Sequence, residues 1–314
     1  MHDVVTLGEA LLRLAVPSPG RFETARQLDV HIGGAEANVA AACARLGLKT
    51  AWISALPENA WGERVRRELC GHNVDCAFTV SLPGTRMGLY FVEYGLAPRP
   101  TEVLYDRHGS AFAHFAPEMV NWQPVRDARI VHITGVTAAL GENGRALVRR
   151  TIEEAAIVSF DINYRSTLWP PHEARTFAES ILPRVRYLFL GESEARIVFG
   201  HDGPLEATIE TLASRAPDAV IAVLQGQRGS TVYAGGHLWR PSIRYAVNVV
   251  DPIGAGDAYV AGYLWACLRR RSPQEAVDTA TTVAALKCST WGDIALINER
   301  DVVSAFAGGP DVRR

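Results

Sequence analysis

A carboxylate that takes a proton works best beside backbone groups that can hold an anion, and residues 251–257, DPIGAGD, supply both. Gly254 and Gly256 allow backbone conformations that a β-carbon forbids, and they let another molecule approach closely. Asp257 falls at or just before the first turn of the helix that follows, where free N–H groups favour a carboxylate. Two readings result. One is a tight turn capped by an Asp. The other is an anion hole made of the N–H groups of Ala255, Gly256 and Asp257, with Asp257 as general base for moving a phosphoryl group to a hydroxyl. A dinucleotide fingerprint fails, because a GxGxxG pattern started at Gly254 meets Tyr259 where its third glycine belongs.

Further reactive side chains are spread along the chain. Arg107 stands two residues after Tyr105 in TEVLYDR, so on a strand it shares that tyrosine's face, and Tyr90 lies on the facing arm MGLYFVEY. A guanidinium there binds a carboxylate at two points; the plainer reading is a solvated arginine on an edge strand. Arg165 in DINYR follows a strand's carboxyl end, which suits phosphate or carboxylate, or a helix-side ion pair. Asp161 reads as structural, since its side chain begins within the strand. Asp293 in TWGD fits either a turn or a sugar hydroxyl. Only two lysines, Lys49 and Lys287, stand against thirty arginines, and neither follows a Gly-rich loop. A P-loop is therefore excluded, and a protein kinase's strand lysine is not recognisable. Charge on a phosphate must be met by backbone N–H groups, arginine and a metal ion.

The elements that position these residues alternate. DVVTLG (3–8), TAWISAL (50–56), ARIVHITG (128–135), AAIVSFDIN (155–163), VRYLFLG (185–191) and DAVIAVLQG (218–226) read as strands, and the run NVV (248–250) is also strand-like. GGAEANVAAACARLG (33–47), WGERVRRELCGHNV (61–74), GRALVRRTIEEA (144–155) and GPLEATIETLASRA (203–216) read as helices. Strands separated by helices predict an α/β fold with a mostly parallel sheet, helices on both faces and ligands beyond the strands' carboxyl ends. Residues 11–34 and 83–110 break the pattern with β-favouring runs and Pro/Gly turns, so they predict a small β-sheet lid on a large body formed by 1–10, 35–82 and 111–314. So few strands need the body, or a second copy, to pack against.

The 314 residues are 48% hydrophobic and carry a formal net charge of -2, which gives no case for nucleic acid or an anionic membrane as partner. No apolar run approaches the roughly 20 residues of a membrane span. The N-terminal stretch, with Asp3 and Glu9, does not read as a signal peptide, and five cysteines without a CxxC pair read as the reduced thiols of a cytoplasmic protein.

DPIGAGDAYVAGYL closely resembles the C-terminal signature of the ribokinase-like (PfkB) carbohydrate kinases, and GGAEANVAAACARLG resembles their N-terminal Gly-Gly signature. Nearly the whole chain follows the order of that family. GLYFVEY (88–94), YDRHGSA (105–111), HITGVTAAL (132–140), DINYRSTLW (161–169), LFLGESEA (188–195) and WGD (291–293) are most similar to its 2-keto-3-deoxygluconate kinases. The resemblance implies a three-layer ribokinase-like fold and magnesium–ATP as co-substrate. It implies transfer to the primary hydroxyl of a keto-deoxy sugar acid, giving from 2-keto-3-deoxygluconate its 6-phosphate. By it, Asp257 is the base, and Gly34, Asn38, Tyr90, Tyr105, Arg107, Arg165, Asp257 and Asp293 meet the sugar. Asn163, Arg165, Gln225, Gly226, Arg228, Gly229, Gly254 and Gly256 meet the nucleotide, and Glu194 meets magnesium indirectly.

The chain also departs from the family. Arg13 stands where many ribokinase-like relatives place a sugar-gripping Asp, which disfavours ribose or fructose and favours an anion, unless Arg13 points outward from the lid. Gly191 replaces an Asn in the Asn-x-x-Glu segment, Leu224-Gln225-Gly226 replaces Lys-Arg-Gly, and Pro252-Ile253 replaces Thr-Thr. The alternatives are a kinase of a neutral sugar or nucleoside, and a non-catalytic sugar or nucleotide sensor. An exposed lid edge further predicts a homo-oligomer.

Overall fold

The computed structural model describes residues 1–200 and 203–308, so 201–202 and 309–314 of the large body lie outside it. Fourteen strands follow in chain order: β1 (Val4–Leu7), β2 (Leu11–Ala15), β3 (Asp29–Gly33), β4 (Thr50–Pro57), β5 (Val74–Asp75), β6 (Thr79–Leu82), β7 (Gly88–Glu93), β8 (Glu102–Asp106), β9 (Ile130–Thr134), β10 (Val158–Asp161), β11 (Val185–Gly191), β12 (Val220–Leu224), β13 (Ser230–Ala234) and β14 (His237–Trp239). Ten of them form a central sheet in the order β14-β13-β12-β11-β10-β9-β1-β4-β5, with β6 also paired to β4. Its pairs are parallel from β5 to β12 and antiparallel at β13 and β14. All eight residues of β4 are buried, as expected where helices cover both sides of a parallel sheet. One apolar layer holds Leu147, Phe177, Leu188 and Leu212; the other holds Val39, Val260, Leu264, Val277 and Ala280 from helices Ala35–Arg45, Ala255–Leu268 and Pro273–Lys287. The fold is ribokinase-like: a helix-flanked, mostly parallel sheet with a smaller separate one.

That smaller sheet has the order β3-β2-β7-β8 and draws its strands from the two lid segments. β7 and β8 are the arms of the predicted hairpin, with Tyr90 opposite Tyr105. Arg13 on β2 lies opposite both His31 and Tyr90, so His31, Arg13, Tyr90 and Tyr105 form one row across a single face. The base of this sheet packs on the body: Leu12, Ile32 and Met87 share a buried cluster with Ala37, Ala41 and Trp52.

Three departures from the predicted elements have a backbone reason. The strand drawn over 155–163 stops at Asp161, since Asn163 turns into the left-handed region at φ 41°. The helix drawn from Gly33 starts at Ala35, because Gly34 has φ 144° and its missing β-carbon would lie 2.3 Å from the Glu9 carbonyl oxygen. NVV is not a strand: Val250 and Asp251 donate their N–H groups to the Cys288 carbonyl instead of to a sheet. Strands β13 and β14 were not anticipated. Among the described residues, no helix is long and apolar enough to cross a membrane.

Candidate active site

The DPIGAGD turn lies beyond the central strands' carboxyl ends. Asp251 is fully buried and nucleates it: Oδ1 accepts the Ile253 N–H at 3.0 Å. Gly254 is the N-cap of helix Ala255–Leu268 with φ 86°, and a β-carbon there would lie 2.1 Å from the Asp293 carbonyl oxygen. Only glycine fits. The Ala255 N–H is spent on the Pro252 carbonyl at 3.2 Å. The predicted anion hole therefore narrows to Gly256 and Asp257, where a helix N-terminus concentrates positive potential.

Asp257 sits in that first turn, and its Oδ2 accepts the Asn38 amide at 2.7 Å. Burial pushes its pKa up to about 7; the Asn38 hydrogen bond and Arg165 oppose the shift, while Asp293 and Glu36 add to it. A base poised there suits proton transfer near neutral pH. The Asn38 Oδ1, on the helix after Gly34, is buried without a partner and remains available to a hydroxyl.

A cleft of about 460 Å³ opens above Asp257. Of the residues assigned to the sugar, Gly34, Asn38, Tyr90, Tyr105, Arg107, Arg165, Asp257 and Asp293 all line it, as do Asn163, Gly254 and Gly256 from the nucleotide set. Gln225, Gly226, Arg228, Gly229 and Ala255 do not. Gln225 donates to Glu192 at 3.1 Å and accepts from Thr231 at 3.0 Å, and Arg228 is paired with Glu192. The segment 225–229 thus stands outside the cleft as a short 3-10 turn held by Glu192.

Two arginines have partners that the sequence did not reveal, and for Arg13 they overturn both expectations. Arg13 neither points outward nor is free to grip an anion: it is fully buried, giving Nη1 to Asp293 at 2.6 Å and Nη2 to Asp251 at 2.7 Å. Asp293 is filled on its other oxygen by the Tyr90 hydroxyl at 2.5 Å, and Asp251 also accepts the Tyr94 hydroxyl at 2.8 Å. Arg107 reaches the cleft, yet its Nε donates to Glu9 at 2.8 Å and its Nη2 is bonded there too. This side-on pairing leaves the Nη1 end of the fork open. Tyr105 lies beneath the guanidinium at 5.9 Å and stacks with Tyr90 at 5.6 Å.

Three cleft acids were missed or undervalued. Glu9 lies two residues past the end of β1, and that strand-end position was the signal for it. Glu36 is buried, with Oε1 accepting from the Thr134 N–H and from the Thr134 and Thr137 hydroxyls, and burial raises its pKa. Asp161 does hold the Asn163 N–H at 3.1 Å, but it also lines the cleft as the last residue of β10. Burial, then the charges of Glu194 and Asp257, drive its pKa well above the carboxylate range.

Glu194 spends both oxygens on backbone, accepting from Tyr164 at 2.8 Å and Gly191 at 2.7 Å, so it caps the helix that Gly191 opens. Among the described residues, no group of three or more acidic, His or Cys residues is placed to chelate a metal directly. The negative charges of Glu194 and Asp257 acting on Asp161 nevertheless fit a divalent cation reached through water.

The pfkB family carbohydrate kinase pattern matches residues 1–300. The chain is 35% identical to a 2-dehydro-3-deoxygalactonokinase of Haloferax volcanii, over 98% of this chain and 97% of that one. It is 30% identical to a 2-dehydro-3-deoxygluconokinase of Thermoproteus tenax, over 93% and 90%. The structure superposes on the crystal structure of a 2-dehydro-3-deoxygluconokinase from Thermotoga maritima with a TM-score of 0.92 and 28% identity, covering 98% and 100%. With a PfkB family carbohydrate kinase from Listeria grayi the TM-score is 0.90 at 31% identity, covering 97% and 99%. The glycine-built turn and its buried aspartate thus stand in a chain that belongs to the pfkB family of carbohydrate kinases, phosphotransferases acting on an alcohol group.

Proposed function

We propose that the enzyme moves the terminal phosphoryl group of ATP to the primary hydroxyl of a 2-keto-3-deoxy sugar acid, 2-keto-3-deoxygluconate or its galactonate epimer. One observation carries this reading: the cleft lined by Asp257 also has on its wall the Nη1 end of Arg107, which Glu9 leaves open. A proton acceptor and a carboxylate receptor in one cleft suit a hydroxy acid. The names of the relatives agree with it.

Asn38 orients Asp257, which takes the hydroxyl proton as the acceptor attacks. The N–H groups of Gly256 and Asp257 face the moving phosphoryl group, and Arg165 supplies positive charge from the end of β10. Asp161 and Glu194 fit a water-mediated magnesium ion, which when bound neutralises phosphate oxygens. The lid excludes water from the transfer.

Arg107's partial commitment to Glu9 keeps a second reading, a kinase of a neutral sugar. The test is ADP release with magnesium–ATP and a panel of 2-keto-3-deoxygluconate, its galactonate epimer, ribose, fructose and adenosine. Turnover confined to the keto-deoxy acids, with Arg107→Ala raising their KM about 10-fold or more, is the expected result. Turnover on ribose or fructose that survives Arg107→Ala overturns the acid reading.

A further inference from the structure

Of the chain's two lysines, Lys287 is fully buried, which is rare for an ammonium and costly unless the charge is met. It ends helix Pro273–Lys287, and its Nζ donates to the backbone carbonyl of Asp251 at 2.9 Å. That carbonyl opens the Asp251–Gly254 segment, which delivers the N-cap glycine of the helix bearing Asp257. The sequence reading left lysine out of the chemistry. The fold puts one directly under the turn.

The surrounding charges make this placement informative. Asp251 and Asp293 share the single guanidinium of Arg13 in a buried cluster. Burial, helped by Arg13, lowers the Lys287 pKa from its ordinary value, and the charges of Asp251 and Asp293 oppose that shift by favouring the cation. With Lys287 the four groups sum to zero. Without it the same cluster holds one negative charge beside a turn that must receive an anion, and a buried carbonyl loses its donor.

We propose that Lys287 is a positioning residue for phosphoryl transfer: it pins the entry to the anion-binding turn, and its fixed charge offsets Asp251 and Asp293. This rests on the assignment of phosphoryl transfer to that turn, whichever sugar is the acceptor.

The test compares Lys287→Met and Lys287→Arg in the full chain. The Met variant is expected to lose about 10-fold or more in kcat with sugar KM within about twofold, since the charge acts on the transfer and not on the sugar. Ammonium chloride should restore kcat saturably by filling the vacated space, and tetramethylammonium chloride at equal ionic strength should not. Unchanged kcat, or a loss indifferent to ammonium, overturns the proposal. Should the Met variant fail to fold, the Arg variant decides: kcat within about threefold of wild type supports a role of charge, and a folded Arg variant about 10-fold slower or worse refutes it. If no sugar in the panel is turned over, the substrate reading fails by itself. Lys287 is then judged on the slow release of ADP with water as acceptor, where the same order of variants and the same ammonium response are expected.

Discussion

Asp257 works as a base only when ionised, so kcat/KM is expected to rise as pH rises through about 7 and to fall away below it. The same raised pKa costs stability. Between the ordinary value of 3.8 and about 7, the folded chain holds this proton more tightly than the unfolded chain. The group's contribution to stability therefore falls as pH climbs through that window and stays lost above it. Asp257→Asn removes that penalty. It is expected to melt higher than wild type at pH 8 while kcat drops by at least about 10²-fold. Calorimetry beside an ADP-release assay checks both halves, and a variant that melts lower or stays active contradicts the assignment. Asp257 itself was legible from its motif. Its pKa was not, because burial and the nearness of Asp293 and Glu36 come from segments far apart in sequence.

Between elements, the main tie of lid to turn is Arg13, which joins β2 to Asp251 and Asp293. Ile253 adds apolar contact, packing against the Leu11, Tyr90 and Tyr94 cluster of the lid. Arg13→Met leaves two carboxylates buried with no guanidinium between them, and is expected to cost about 3–5 kcal/mol in denaturant unfolding. A loss below about 1 kcal/mol, the scale of an exposed pair, contradicts this picture. Strand and helix periodicity gave most of the body and the β7–β8 hairpin directly, since alternating burial writes itself into composition. The partners of Arg13 and Arg107 escaped because an ion pair between residues 13 and 293, or 9 and 107, leaves no local trace. NVV was misread for a related reason: an apolar extended run looks the same whether a sheet or a single carbonyl receives its N–H groups.

At the scale of the whole molecule, the lid ends in β8, an edge strand with Leu104 49% and Tyr105 42% exposed. Unpaired edges of this kind invite another strand, so we expect a second copy to cover it. Sedimentation of wild type should show a dimer or larger, and Leu104→Lys should shift it to monomer. A wild-type monomer at assay concentration rules the lid contact out. The two lysines carry a further consequence. With Lys287 sealed inside, Lys49 is the one lysine side chain open to solvent. It immediately precedes β4, at the end of the parallel strands away from the cleft. Amine-coupling chemistry would reach Lys49 and the exposed Met1 amine, which starts the chain beside it, and so would tether every molecule by the same rear face, leaving a surface-bound layer with its clefts turned outward and open to solution.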